Sequence, residues 1–179
     1  MKKFMFTWAL AAAALISFQS CGDSTGGEEE EQPDVYDYQT DGIQGHWLSE
    51  GDNVAPLLSA LLNVKKITAT FNKNNTYTVV SYDTANAVTT YTGTYVQTKS
   101  SVSGIWNITL SQTVPYTGVS EGIFQITKTG DDYTMKYEVV ITEPDYGNST
   151  PTASGGFGSS NGGALGVSNI QVFERTGDL

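Results

Sequence analysis

From residue 43 onward, hydrophobic side chains recur at every second position. Ile67, Ala69 and Phe71 alternate with Thr68, Thr70 and Asn72, Tyr77 and Val79 with Thr76 and Thr78, and Trp106, Ile108 and Leu110 with Asn107 and Thr109. The longest run sets Tyr133, Met135, Tyr137, Val139 and Ile141 against Thr134, Lys136 and Glu138. Period two is the mark of strands with one face on a core and the other in water. Asn72-Lys73-Asn74-Asn75 and Thr129-Gly130-Asp131-Asp132 are turn sequences between such runs, so sequential strands are expected to pair as hairpins. The pattern predicts eight strands, over residues 43–49, 65–72, 76–83, 88–98, 104–112, 121–128, 132–142 and 167–175. Eight strands in sequence predict an all-β domain, an antiparallel up-and-down barrel whose closure removes exposed sheet edges. A two-sheet β-sandwich built from the same strands is the alternative.

Two segments depart from period two. Val54, Leu57, Leu58, Leu61 and Leu62 recur at helical spacing, with Asp52 or Asn53 available as N-cap and Pro56 tolerated in the first turn. They predict one short helix over 54–63, between strands one and two, whose leucines either plug one end of the barrel or cover a cavity mouth. Residues 145–166 are rich in Gly, Ser, Thr and Asn and predict a long loop that is either mobile or functional.

The N-terminus reads differently from the rest. Lys2 and Lys3 precede an apolar stretch over 4–18, shorter than the about 20 residues of a membrane span, as in a secretory signal peptide. Small residues around Cys21 at its end resemble the lipobox of bacterial lipoproteins, which implies cleavage after residue 20 and acylation of Cys21. Cys21 is the sole cysteine, so once it is lipidated the chain has no thiol for a disulfide, a metal site or a nucleophile. Residues 21–42, with Glu at 28–31, hold few apolar groups and predict an acidic flexible tether ahead of a domain over 43–179. Without Lys2 and Lys3, seven basic residues face nineteen acids, a formal charge of −12, and a nucleic-acid partner is excluded for want of a basic surface. The acidic run after the cysteine resembles the surface-export signal of lipoproteins from certain gut anaerobes, which implies an outer-membrane lipoprotein exposed at the cell surface or, failing that, facing the periplasm.

Gly45-His46-Trp47, then Thr70-Phe71-Asn72-Lys73-Asn74-Asn75-Thr76-Tyr77, then Gly93-Thr94-Tyr95 resemble, in that order, the conserved opening, first hairpin and following strand of lipocalin-like domains in small lipoproteins of gut bacteria. The resemblance covers most of residues 43–175. It implies that Gly45 and Trp47 close the narrow end of the barrel with Arg175, the only arginine, stacked across Trp47. That role is structural. It also implies a barrel that binds a small apolar or amphipathic ligand.

The residues themselves offer no catalytic constellation and no cofactor. His46 is the only histidine and has no second histidine or thiol with which to hold a metal. Asp131 and Asp132 lie in a turn, where solvated charge is the ordinary role, and the Asp and Asn residues at 51–53 and 130–132 follow no calcium-loop spacing. Asp83-Thr84-Ala85 resembles a short O-glycosylation signal, with Thr84 the acceptor. The ten tyrosines, with Trp106 and Phe124, exceed what an aliphatic core requires. Aromatic rings that bury a body and present a hydroxyl suit a cavity for an amphipathic molecule, and Tyr77, Tyr95, Trp106, Phe124 and Tyr137 are its candidate lining. The alternative is a filled barrel that displays loops to a protein or glycan partner.

Overall fold

Both turns read from the sequence fold the chain back on itself in the computed structural model, which describes residues 35–179. The order is β1 (Gly45–Glu50), α1 (Pro56–Leu62), β2 (Val64–Phe71), β3 (Thr76–Asp83), β4 (Val88–Lys99), β5 (Ile105–Val114), β6 (Gly118–Thr129), β7 (Asp132–Glu143) and β8 (Gln171–Gly177). Every strand pairs antiparallel with its neighbours in sequence, and β1 also pairs with β8, so the sheet is a closed eight-stranded barrel and not a sandwich. Cys21, the signal region and residues 21–34 of the expected tether lie outside the described residues.

At the β2–β3 turn Asn75 takes a left-handed backbone (φ 63°), a conformation that asparagine tolerates, and its amide donates to the Asn72 carbonyl. Gly130 serves the β6–β7 turn in the same way at φ 64°. The helix is shorter than its leucine spacing suggested. Asp52 and Asn53 form a 3₁₀ turn (Gly51–Asn53) instead of capping it; Pro56 opens it and Asn63 ends it at φ 54°.

Strand direction gives the barrel two unlike ends. One receives the β2–β3, β4–β5 and β6–β7 turns and the segment before β1, and it is closed. Trp47 is 1% exposed there, and its indole Nε1 donates to the Ile43 carbonyl at 2.6 Å. Arg175 is the cross-strand partner of Trp47. Its guanidinium, however, lies 3.5 Å from the centroid of the Tyr36 ring and 5.8 Å from that of Tyr133, so the expected stack on Trp47 is replaced by one on Tyr36. Asp178 holds the same group at 2.8 Å. Gly45 leaves room for it, since a Cβ there would fall 2.7 Å from Arg175 Nη2 on a backbone at φ 122°.

Tyr36 corrects the domain boundary. The folded unit starts at Val35, not at 43. The Tyr36 hydroxyl donates to the Gly42 carbonyl at 2.6 Å, and Tyr36 and Tyr38 both pack on Tyr133. Their polar neighbours concealed this: Asp37 and Asp41 look like tether, but their carboxylates accept from backbone amides within a tight turn over 37–41.

The second correction concerns the outer face of β6 and β7. Ile123 and Glu138, a cross-strand pair, alternate outward and yet are both 0% exposed. The segment from 144 to 170 crosses them, and buried Pro151 and Ser160 belong to it. Glu138 accepts hydrogen bonds from the Gly158 amide at 2.6 Å, the Ser160 amide at 3.1 Å and the Ser160 hydroxyl. The long loop is thus fixed to the wall by a buried carboxylate.

Candidate functional site

The other end of the barrel is open. It gathers α1, the β3–β4 turn, the β5–β6 connection and the last part of the long loop, where a 3₁₀ turn (Gly166–Asn169) meets α1. Inside lies a cavity of about 410 Å³, within the range of small-molecule sites. Its apolar wall comes from inward positions of the strands, such as Ile67, Ala69, Phe71, Val79, Leu110 and Phe173. Leu57, Leu58 and Leu62 of α1 and Leu165 of the long loop overhang the mouth. The helix is therefore both lid and partial plug. It buries no side chain fully, while Gln171 ties down its base by accepting from the Ala55 amide at 2.9 Å and donating to Ser49.

Of the five aromatic residues expected to line a cavity, Tyr77 and Tyr137 do so. Tyr95, Trp106 and Phe124 do not; they fill the closed half. The Tyr95 hydroxyl donates to the Asn72 carbonyl at 2.9 Å and its ring meets Phe71 edge-on, which braces the β2–β3 turn. Trp106 stacks on Phe124 at 5.8 Å with Lys99 over its ring. The barrel is thus filled at one end and hollow at the other. Tyr91 and Tyr116 also line the cavity and escaped the sequence reading. Their positions held a signal, since Tyr91 lies among the first, turn-proximal residues of β4, which leaves the mouth, and Tyr116 lies in the connection between two strands there.

The polar complement of the cavity is a set of hydroxyls. Asn148, Asn169 and Gln112 each donate to a backbone carbonyl, of Ile141, Val139 and Tyr116 respectively. Among the described residues, no protein group hydrogen-bonds the phenols of Tyr77, Tyr91, Tyr116 or Tyr137. Burial pushes Tyr77 up to about 12, and the nearby Tyr116 adds to it. Burial raises Tyr137 as well, with Tyr77 contributing.

These shifts have a consequence at alkaline pH. Tyr77 and Tyr95 are held near 12 against an ordinary value of 10.0, and Tyr36 and Tyr137 are raised as well, all mainly by burial. Above pH 10 the unfolded chain gives up protons that the folded chain keeps, so stability is whole below pH 10 and falls as pH rises towards 12. A phenolate-absorbance titration is expected to show several tyrosines ionising only as the fold is lost. Reversible ionisation of all ten near pH 10, with circular dichroism unchanged, would contradict this.

The remaining candidates lie elsewhere. His46 is half-buried on the outer face of β1, its Nδ1 2.9 Å from the Thr70 hydroxyl. Thr84 is exposed in the β3–β4 turn, where its amide donates to the Asn63 carbonyl and the Asp83 carboxylate accepts from the Ala85 and Ala87 amides. No three His, Cys, Asp or Glu residues gather closely enough to hold a metal among the described residues, and no helix there is long and apolar enough to cross a membrane.

Large apolar side chains on the surface concentrate at the open end. Leu61 and Leu62 on α1, Val88 at the start of β4, Val114 and Tyr116 around the β5–β6 connection, and Val167 on the long loop are all about half exposed or more. An apolar rim thus surrounds an apolar cavity. No protein-family model, curated protein or solved structure matches the chain.

Proposed function

We propose that this chain is a lipocalin-like carrier, lipidated at Cys21 and held at the outer membrane, whose barrel takes up one small apolar or amphipathic molecule through the end covered by α1. The observation that carries the reading is the hollow half of the barrel. A filled core would leave no cavity of about 410 Å³. Here Ala69, Ser81 and Ser120 stand at inward positions where larger residues would close it. The apolar rim supports the same reading, because it gives an apolar molecule a continuous path from outside to the cavity.

The test is binding of the neutral fluorescent probe N-phenyl-1-naphthylamine to the full chain and to Ser81→Trp, which fills the upper cavity from β3. The wild-type chain is expected to bind the probe saturably. The variant should bind at least about tenfold more weakly, which needs only about 1.4 kcal/mol of lost contact, with its thermal midpoint preserved. Equal binding by both proteins would place the probe outside the barrel and remove the support for a carrier.

A further inference from the structure

The charge of the occupant can be read from the walls. No Asp, Glu, Lys, Arg or His lines the cavity. Its amide side chains each donate at least one hydrogen bond within the protein, and the other polar groups of the wall are phenols and the hydroxyls of Ser81 and Ser120, so every polar group facing a ligand is uncharged. Hydroxyls offer one donor and lone pairs but no countercharge. An ion moved from water into such a space loses its hydration and gains no opposite charge, a penalty of several kcal/mol per ion even after relaxation. A neutral polar group loses far less, and one or two hydroxyls repay it. Lys66, Lys99 and Arg175 lie over the rings of Tyr82, Trp106 and Tyr36, none of which lines the cavity.

We propose, building on the carrier reading, that the occupant is an electrically neutral molecule with an apolar body and one uncharged hydroxyl, carbonyl or ester group, and that the cavity rejects carboxylates, phosphates and ammonium ions. The polar group of the ligand meets the phenols of Tyr77, Tyr116 or Tyr137, which line the cavity. Tyr77 is the most buried of these at 3% exposure, and the Tyr137 ring is held edge-on by Phe173 at 5.9 Å. Phenols kept protonated by burial remain donors throughout the physiological range, which suits a carbonyl or hydroxyl oxygen as acceptor. At the packing density of protein interiors, the cavity holds roughly fifteen to twenty non-hydrogen atoms, so the molecule is a medium-chain lipid or a compact ring system and not a full diacyl lipid.

The test displaces N-phenyl-1-naphthylamine from the full chain with dodecanol, dodecanoate and dodecylamine, which share one tail and differ in head group. At neutral pH dodecanol is expected to compete at concentrations at least about tenfold lower than either ion. Dodecanoate should approach dodecanol as the pH falls through the fatty acid's own pKa. Tyr137→Phe keeps the ring and is expected to weaken dodecanol about three- to tenfold while leaving the probe's affinity in place. Equal competition by the carboxylate or the ammonium at neutral pH would overturn the neutral-ligand proposal and leave the carrier standing. Failure of the probe and of all three compounds to bind would overturn the carrier, and this proposal with it.

Discussion

Replacing Trp47 by alanine is expected to cost about 3–5 kcal/mol, the range for deleting a large aromatic side chain from a core. The physical reason is threefold. The side chain is 1% exposed and packs in the main core, so its removal leaves a cavity at the closed end. It also leaves the Ile43 carbonyl without the indole N–H that it accepts at 2.6 Å. Finally, the segment over 35–44, which caps this end, loses its anchor on β1. Urea unfolding followed by circular dichroism should show a large drop in midpoint with little change in slope. Trp47→Phe should recover much of the loss. A cost under about 1 kcal/mol for the alanine variant would mean that the closed end is not held by this residue.

The second large effect is expected on the outside of the barrel. Glu138→Ala removes the acceptor for the Gly158 amide, the Ser160 amide and the Ser160 hydroxyl, all beneath the long loop. Each buried donor left unpaired costs about 1–3 kcal/mol, but the loop can lift into water, so the net loss should be about 2–4 kcal/mol. The lifting is itself the readout. Hydrogen exchange at Gly158 and Ser160 should accelerate, and proteases should cut within 153–166. Ser160 also accepts from Asn169 Nδ2 at 3.2 Å, and Asn169 lines the cavity, so the wall contact continues to the mouth. Glu138→Gln keeps one carbonyl oxygen and should restore part of the protection. Unchanged exchange at both amides in the alanine variant would show that the loop is held by something else.

These two residues also mark what the sequence could and could not tell. Trp47 was legible through the Gly45-His46-Trp47 opening, whose resemblance to lipocalin-like domains implied a role in closing the barrel. Glu138 read as part of a wet face, because it shares the outward phase of β7 with Thr134 and Lys136. What buries it is a loop of Gly, Ser, Thr and Asn that docks through backbone amides, and amides leave no trace in a pattern of side chains. Strand number, order and the place of the helix followed from periodicity and turn residues, which are local properties. Closure did not follow from them alone, since β1 and β8 meet across the whole chain.

The cavity was half legible for a related reason. Period two says which residues point inward but not how deep they lie. Tyr95 and Trp106 face inward close to the closed end, and Tyr91 faces inward close to the mouth; the difference is distance from a turn, which requires knowing which turns share an end. Tyr77 reaches the cavity although it starts β3 near the closed end, because its partner Gly93 has no side chain to pack beside it. The shift of the guanidinium from Trp47 to Tyr36 arose in the same way, from a segment too polar to be read as part of the fold.

The most direct test of a hollow, ligand-holding barrel is native mass spectrometry of the full chain purified from the cells that produce it. The account predicts one additional small, neutral mass on the wild-type protein, absent from Ser81→Trp and reduced in Tyr137→Phe. A bare wild-type mass that stays bare after exposure to the cells' neutral lipid extract would contradict it.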